Sequence, residues 1–227
     1  MARLNLGVLV SGRGSNLRAL LDAAAAPDYP ARVAVVISDT PGAGALDHAA
    51  VFDVPAVVIP RADHADRAGF EAAITDALEG HGVGLVCLAG FMRLVSADFC
   101  RHWGDRLINI HPSLLPAFRG LDTHVRALAA GVRIAGATVH VVRPAMDDGL
   151  ILAQGAVPVA DDDTPESLAA RVLAVEHRLY PRVVAWIAEG RVRIEDERVR
   201  VDGAAPGACV GSGDSAGLLA PDGSFVV

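Results

Sequence analysis

The chain has 227 residues, 52% apolar and 21% charged, with 27 acidic against 20 basic residues and a net charge of −7. These figures exclude a largely disordered chain. They also argue against a nucleic-acid backbone as main partner, because binding a phosphate chain needs a basic surface. The length suits one α/β domain, or one domain with a small appendage. With aromatics at only 4%, the core is expected to be built from Ala, Val, Leu and Ile. Cys87, Cys100 and Cys209 lie too far apart for metal-ligand spacing and read as idle thiols in a reducing compartment. No apolar run approaches the roughly 18–20 residues of a membrane span. The apolar start is interrupted at Ser11-Gly12-Arg13, unlike a signal peptide. A cytoplasmic protein is expected.

Leu4 to Val10 is a continuous apolar run of the buried parallel-strand kind. The Gly-rich turn Ser11 to Asn16 follows, then a helix over Asn16 to Ala26, ended by Pro27. Strands are predicted over Arg32 to Ser38, Ala56 to Ile59, Gly84 to Ala89 and Arg106 to Ile110. Helices are predicted over Ala43 to Val51, Phe70 to Leu78 and Ser96 to His102. This alternation argues for a doubly wound, mostly parallel sheet.

The second half changes style. Ala137 to Val142 and Leu150 to Val159 read as strands separated by an acidic turn. Thr164-Pro165-Glu166 starts a helix, with Thr as N-cap and Pro at the first helical position. That helix is predicted to run to about Leu179, to break or bend at Pro181, and to continue as a second piece to Gly190. Arg191 to Val201 alternates apolar and charged residues around Glu195-Asp196-Glu197, a hairpin pattern. Of the last 25 residues, 16 are Gly, Ala, Ser or Pro, so 203–227 is expected to be a flexible tail behind a domain spanning 1–202.

Three stretches carry candidate chemistry. Gly14, Ser15 and Asn16 stand between a buried strand and a helix, where backbone N–H groups favour an anion and glycine lets it come close. There is no third Gly at dinucleotide spacing and no Gly-Lys-Ser/Thr, so a single terminal phosphate fits better than a triphosphate. An ordinary tight turn has the same local sequence. Asn109 and His111 are two apart at the end of a strand, hence on one face. An amide donor beside an imidazole can polarise a carbonyl and hold the oxyanion formed on attack. A histidine satisfied locally in a Pro-rich loop is the alternative. The acidic turn Met146-Asp147-Asp148-Gly149 could orient that imidazole, or be merely solvated. His111, His124 and His140 match no compact metal-ligand spacing, and no metal is expected.

Together, Ser11 to Leu17, Ala89-Gly90-Phe91-Met92-Arg93, Asn109 to Pro116, Gly120 with Thr123-His124, and Glu176-His177 resemble the phosphoribosylglycinamide formyltransferases of purine biosynthesis. The resemblance spans about Leu4 to Asp202. It implies a Rossmann-like formyltransferase fold with a C-terminal hairpin, and 10-formyltetrahydrofolate as co-substrate. It implies that Gly14, Ser15 and Asn16 hold the substrate phosphate, and that Leu173 and Glu176 contact the ribosyl glycinamide. Arg67, Met92, Arg93, Leu94, Val95 and Asn109 would meet the folate, as would Arg143, Pro144, Ala145, Met146 and Asp147, the latter mostly through backbone groups. Asn109, His111 and Asp147 would form the catalytic trio. Small molecules are the implied partners, without nucleic acid or membrane, and a homodimer is compatible with the pattern.

Two positions depart from the family pattern. Asp148 follows Asp147 where Gly or Thr is common, and an extra carboxylate there is expected to repel Asp147. Arg119 precedes Gly120 where Pro or Lys is commoner. Within the superfamily, a methionyl-tRNA formyltransferase is expected to carry a further C-terminal domain. A formyltetrahydrofolate hydrolase is expected to carry an N-terminal regulatory one. A non-catalytic nucleotide-binding module is the reading from another class.

Overall fold

A computed structural model describes residues 2–203 and 225–226. It divides into two compact units, 1–109 with 142–144, and 110–141 with 145–227. The sheet is mostly parallel and flanked by helices.

The first unit holds β1 (Leu4–Val10), α1 (Ser15–Ala24), β2 (Ala31–Ser38), α2 (Ala45–Val51) and β3 (Ala56–Val58). It continues with α3 (Arg67–Gly80), β4 (Leu85–Leu88), α4 (Ala97–Trp103) and the first part of β5 (Leu107–His111). The pairs β1–β2, β2–β3, β1–β4 and β4–β5 are all parallel. The chain winds one way from β1 to β3 and the other way from β4 to β5, so β1 and β4 flank the switch point. Segments leaving the carboxyl ends of those strands meet there, the usual ligand position in such sheets. Here they are Ser11 to Asn16 after β1 and Ala89 to Val95 after β4. Ser11 N–H donates to the Gly90 carbonyl at 3.2 Å.

This unit's core gathers Leu9, Val35, Ile37, Ile74, Leu78, Val86 and Leu107 around Phe70, Phe99 and Trp103. The core is built mainly from Ala, Val, Leu and Ile, as expected, with Phe70, Phe99, Trp103, Tyr180 and Trp186 buried among them. Trp103 and Tyr180 are the largest fully buried side chains among the described residues. An aromatic buries more apolar area than most aliphatic residues, so these few add to the core out of proportion to their number.

The second unit holds α5 (Thr123–Ala129), β6 (Ile134–Val141), β7 (Ile151–Pro158), α6 (Pro165–Ala188), β8 (Val192–Glu195) and β9 (Arg198–Val201). β6 and β7 are antiparallel, and the short strand β10 (Phe225–Val226) adds antiparallel to β7. The expected tail otherwise lies outside the described residues. β8 and β9 form the predicted hairpin, with Asp196 and Glu197 at φ of 49° and 58°, the two positive angles of a tight hairpin turn. Thr164 caps α6 as predicted, in a capping box closed by Ser167.

Of the break or bend predicted at Pro181, the break does not occur, for α6 runs unbroken over 24 residues with Pro181 inside it. An interior proline costs about 3 kcal/mol through a lost hydrogen bond and ring crowding. Burial on both sides of it, by Val175, Leu179, Tyr180, Val183 and Val184, outweighs that cost. Helix α5 has no counterpart among the sequence-predicted elements. It is two turns long, and no hydrophobic period can be read over so few residues.

Candidate functional site

In the first unit, the phosphate-loop candidate lies where β1 passes into α1. Gly14 is the N-cap, with φ +78°, and no side chain caps the helix and no acidic residue stands in its first turn. The helix N-terminus thus keeps its positive dipole end uncompensated by the chain's own carboxylates. A Cβ on Gly14 would lie 2.6 Å from the Cβ of Ala45, so the loop is closed by α2 from behind.

A cavity of about 310 Å³ opens beside the segment after β4. Arg67, Met92, Arg93, Leu94 and Val95 line it, which brings together five of the residues that resemblance assigns to folate. Phe70, Phe91 and Phe99 supply apolar wall, and Arg61 joins Arg67 and Arg93 as a third arginine of the lining. Sequence reasoning did not find Arg61 or Phe99, and gave Phe91 only as part of a motif without a site role, because no spacing rule joins them. The segment is pinned at its end by Glu71, a buried carboxylate on α3 that accepts from both the backbone N–H and the hydroxyl of Ser96. The Arg143 guanidinium is engaged by Asp105 at 2.7 Å, which fits a backbone rather than side-chain role at that position. Pro144 beside it is exposed.

Asn109 and His111 lie on β5, half-buried and buried respectively. In the second unit, His111 is 6% exposed and held from two sides. Its Nε2 is 3.1 Å from the Phe118 carbonyl, and its Nδ1 is 3.5 Å from Asp147 Oδ2. Both partners present oxygen acceptors to the ring nitrogens. Asp147 Oδ2 also accepts from the Gly120 N–H at 2.8 Å, and its Oδ1 lies 3.8 Å from His140 Nε2.

The backbone dictates this arrangement. Asp147 takes φ 50°, a left-handed angle that aspartate tolerates better than most residues. A Cβ on Gly149 would fall 1.6 Å from the Val141 carbonyl oxygen, so only glycine lets the acidic turn close onto the end of β6. The loop after His111 is anchored by Thr138, whose hydroxyl donates to the Ser113 carbonyl at 2.6 Å and accepts from Leu115 N–H at 3.0 Å. Burial pushes the His140 pKa down, against the pull of the Val141 carbonyl and Asp147.

Leu173 and Glu176 lie three apart on α6 and so share a helix face, with Glu176 buried. Ala145 and Met146 are exposed on the acidic turn. Among the described residues, no group of three or more His, Cys, Asp or Glu is arranged to hold a metal ion.

Fold and site together define a formyl-transfer class of protein, and the family model described as "Formyl transferase" matches residues 4–184. The chain belongs to the formyl transferase family. It is 38% identical over 200 residues to a phosphoribosylglycinamide formyltransferase of Haemophilus influenzae, covering 88% of this chain and 94% of that one. A solved glycinamide ribonucleotide transformylase from Symbiobacterium toebii is 48% identical, with a TM-score of 0.85 over 88% of this chain and 94% of the other. The bovine trifunctional purine biosynthetic protein adenosine-3 is 43% identical over 192 residues, 85% of this chain but 19% of that protein. The chain thus spans under a fifth of the length of the trifunctional relatives it matches.

Proposed function

We propose that the chain transfers the formyl group of 10-formyltetrahydrofolate to the amine of 5-phosphoribosylglycinamide, a step of purine biosynthesis. The observation that carries the reading is His111 at the end of β5, two residues after Asn109, with Asp147 at 3.5 Å from its Nδ1.

In this reading the uncapped start of α1, at Gly14, Ser15 and Asn16, receives the phosphate through backbone N–H groups. Leu173 and Glu176 meet the ribosyl glycinamide. The cavity lined by Arg67 and Met92 to Val95 takes the folate, with Arg143 to Asp147 contributing backbone contacts. The amine attacks the formyl carbon, and the carbonyl oxygen gains negative charge. Asn109 and His111 donate hydrogen bonds to it, the electrostatic help that counts most in acyl transfer. The Phe118 carbonyl now bonded to His111 Nε2 is an acceptor of the same kind as that oxygen. As the tetrahedral intermediate collapses, the attacking nitrogen loses a proton and the departing folate nitrogen gains one. His111 gives the folate nitrogen its proton and takes one back from the amine, directly or through water, while Asp147 orients the ring and balances its charge. The reading includes a cytoplasmic location.

The test is formyl transfer by the purified protein, with tetrahydrofolate release and formylated ribonucleotide measured together. Equal amounts of both support the reading. Formate without formylated ribonucleotide would make the protein a hydrolase, and ribonucleotide binding without turnover would make it a binding module.

A further inference from the structure

Asp39, just beyond β2, is 5% exposed, less than any other acidic residue described in the first unit. Its side chain is 1% exposed. Burial alone would raise its pKa, but hydrogen bonds from Arg93, Ser11 and Thr40, with the Arg93 charge, hold it below the usual carboxylate range. Arg93 Nε donates to Oδ2 at 2.6 Å and the Thr40 hydroxyl to Oδ1 at 3.0 Å. The Ser11 hydroxyl donates to the same carboxylate while its oxygen accepts the Met92 N–H at 2.9 Å.

Three segments therefore converge on one anion. Ser11 opens the turn that leads into the start of α1. Met92 and Arg93 belong to the wall of the 310 Å³ cavity. Thr40 follows β2 and leads toward α2, which closes the turn from behind through Ala45. Backbone bonds from Ser11 N–H to the Gly90 carbonyl and from Ala45 N–H to the Gly12 carbonyl already link these elements, and the carboxylate adds the side-chain contacts that fix Arg93 and Thr40 to them. A buried carboxylate with charge-assisted hydrogen bonds is costly to leave partly satisfied, so the three partners are held as a set.

We propose that Asp39 is a positioning residue that fastens the phosphate-binding turn and the folate-binding segment to one another, so that both subsites lose affinity when its side-chain oxygens are removed. This rests on the functional reading above, and it adds a residue that touches neither ligand.

The variants separate the two arms. Asp39→Ala removes every acceptor and is expected to weaken both the ribonucleotide and a folate analogue, each by roughly tenfold or more, the scale of a lost charge-assisted contact. Asp39→Asn keeps one oxygen for Ser11 and Thr40 but loses the charge that holds Arg93. It is expected to weaken the folate analogue alone. The two effects are read by calorimetric titration of each ligand, with kcat and KM in parallel, kcat changing less than either KM. Adding Asp39→Ala to Arg93→Ala should cost little further folate affinity, because the contact is already gone. A wild-type chain that binds neither ligand overturns the functional reading, and this proposal with it. A wild-type chain that binds both overturns this proposal alone if Asp39→Asn leaves folate affinity unchanged, or if its two losses are equal and track a fall in melting temperature.

Discussion

Arg119 forms an ion pair with Asp148, joining the turn that carries Gly120 to the turn that carries Asp147. These are two positions at which the chain is expected to depart from the family pattern, and they answer each other. The repulsion expected between Asp147 and Asp148 meets a countercharge. The pair also runs beside the Gly120 N–H bond to Asp147, so it braces the carboxylate that faces His111.

The two aspartates should therefore separate cleanly on mutation. Both partners of the Arg119 pair are more than 40% exposed, so solvent screens it and it is worth at most about 1 kcal/mol. Asp148→Gly or Arg119→Ala is expected to lower turnover by less than about fivefold, and the charge-reversed double variant to recover most of that. Asp147→Asn should cost roughly 100-fold, since it removes the charge beside the imidazole while keeping the shape. The measurement is kcat for each variant under saturating substrates. If Asp148→Gly abolishes turnover while Asp147→Asn keeps it, the catalytic trio must be redrawn with Asp148.

Replacement of His111 by Ala is expected to lower kcat by roughly 100-fold or more, the scale of a missing acid or oxyanion donor. Ribonucleotide affinity should change little, because the phosphate contacts lie at α1. Single-turnover kinetics with an independent binding measurement distinguish the two. Near-native turnover would show that His111 only ties β5 to the Phe118 carbonyl.

Most strands were legible because burial on both faces leaves a continuous apolar run, as in Leu4 to Val10, which is bounded in the structure as in the sequence. The Asn109-to-Pro116 stretch was legible because its chemistry is packed into eight consecutive residues. What stayed hidden depends on pairing across distance. Asp39 reads as an ordinary residue in a Thr-Pro-Gly turn, and only the β1–β4 switch point brings Ser11 and Arg93 onto it. Glu71 reads as one polar residue in an amphipathic helix, yet it anchors Ser96, 25 positions away. The continuation of α6 through Pro181 was hidden for a similar reason. Local propensity favours a stop, and tertiary burial overrides it.

At Gly14, steric room decides the outcome before any ligand arrives. A side chain there must adopt a left-handed φ of 78° and meet Ala45, whose Cα would be 2.7 Å away. Gly14→Val, and even Gly14→Ala, is expected to displace the turn and weaken ribonucleotide binding by roughly tenfold or more, with a strain cost of about 1–2 kcal/mol. A folate analogue should bind with nearly unchanged affinity, since its contacts lie in the segment after β4. Titration of both ligands checks this, and equal losses for the two would indicate general misfolding.

The last prediction concerns acid. His140 is 2% exposed on β6, and burial, with the nearby His111 charge, pushes its pKa below the ordinary histidine range. Burial moves His124 in the same direction, again with His111 adding to it. The unfolded chain binds protons at these positions near pH 6.5, the ordinary value, while the folded chain binds them only at lower pH. Below about pH 6.5 the unfolded state thus holds more protons, and protonation drains the folded state. The stability contributed by these neutral imidazoles is complete above that pH and is lost as pH falls through the folded pKa. Urea unfolding at steps from pH 7.5 to 5.0 should show a progressive fall for the wild-type chain. His140→Asn keeps a polar group near the Val141 carbonyl but does not titrate, so its stability curve should be flatter across the same window, even if its stability at pH 7.5 is lower. Parallel curves for the two proteins, or a wild-type stability that rises on acidification, would mean that His140 is already charged in the fold and that Asp147, rather than burial, governs it.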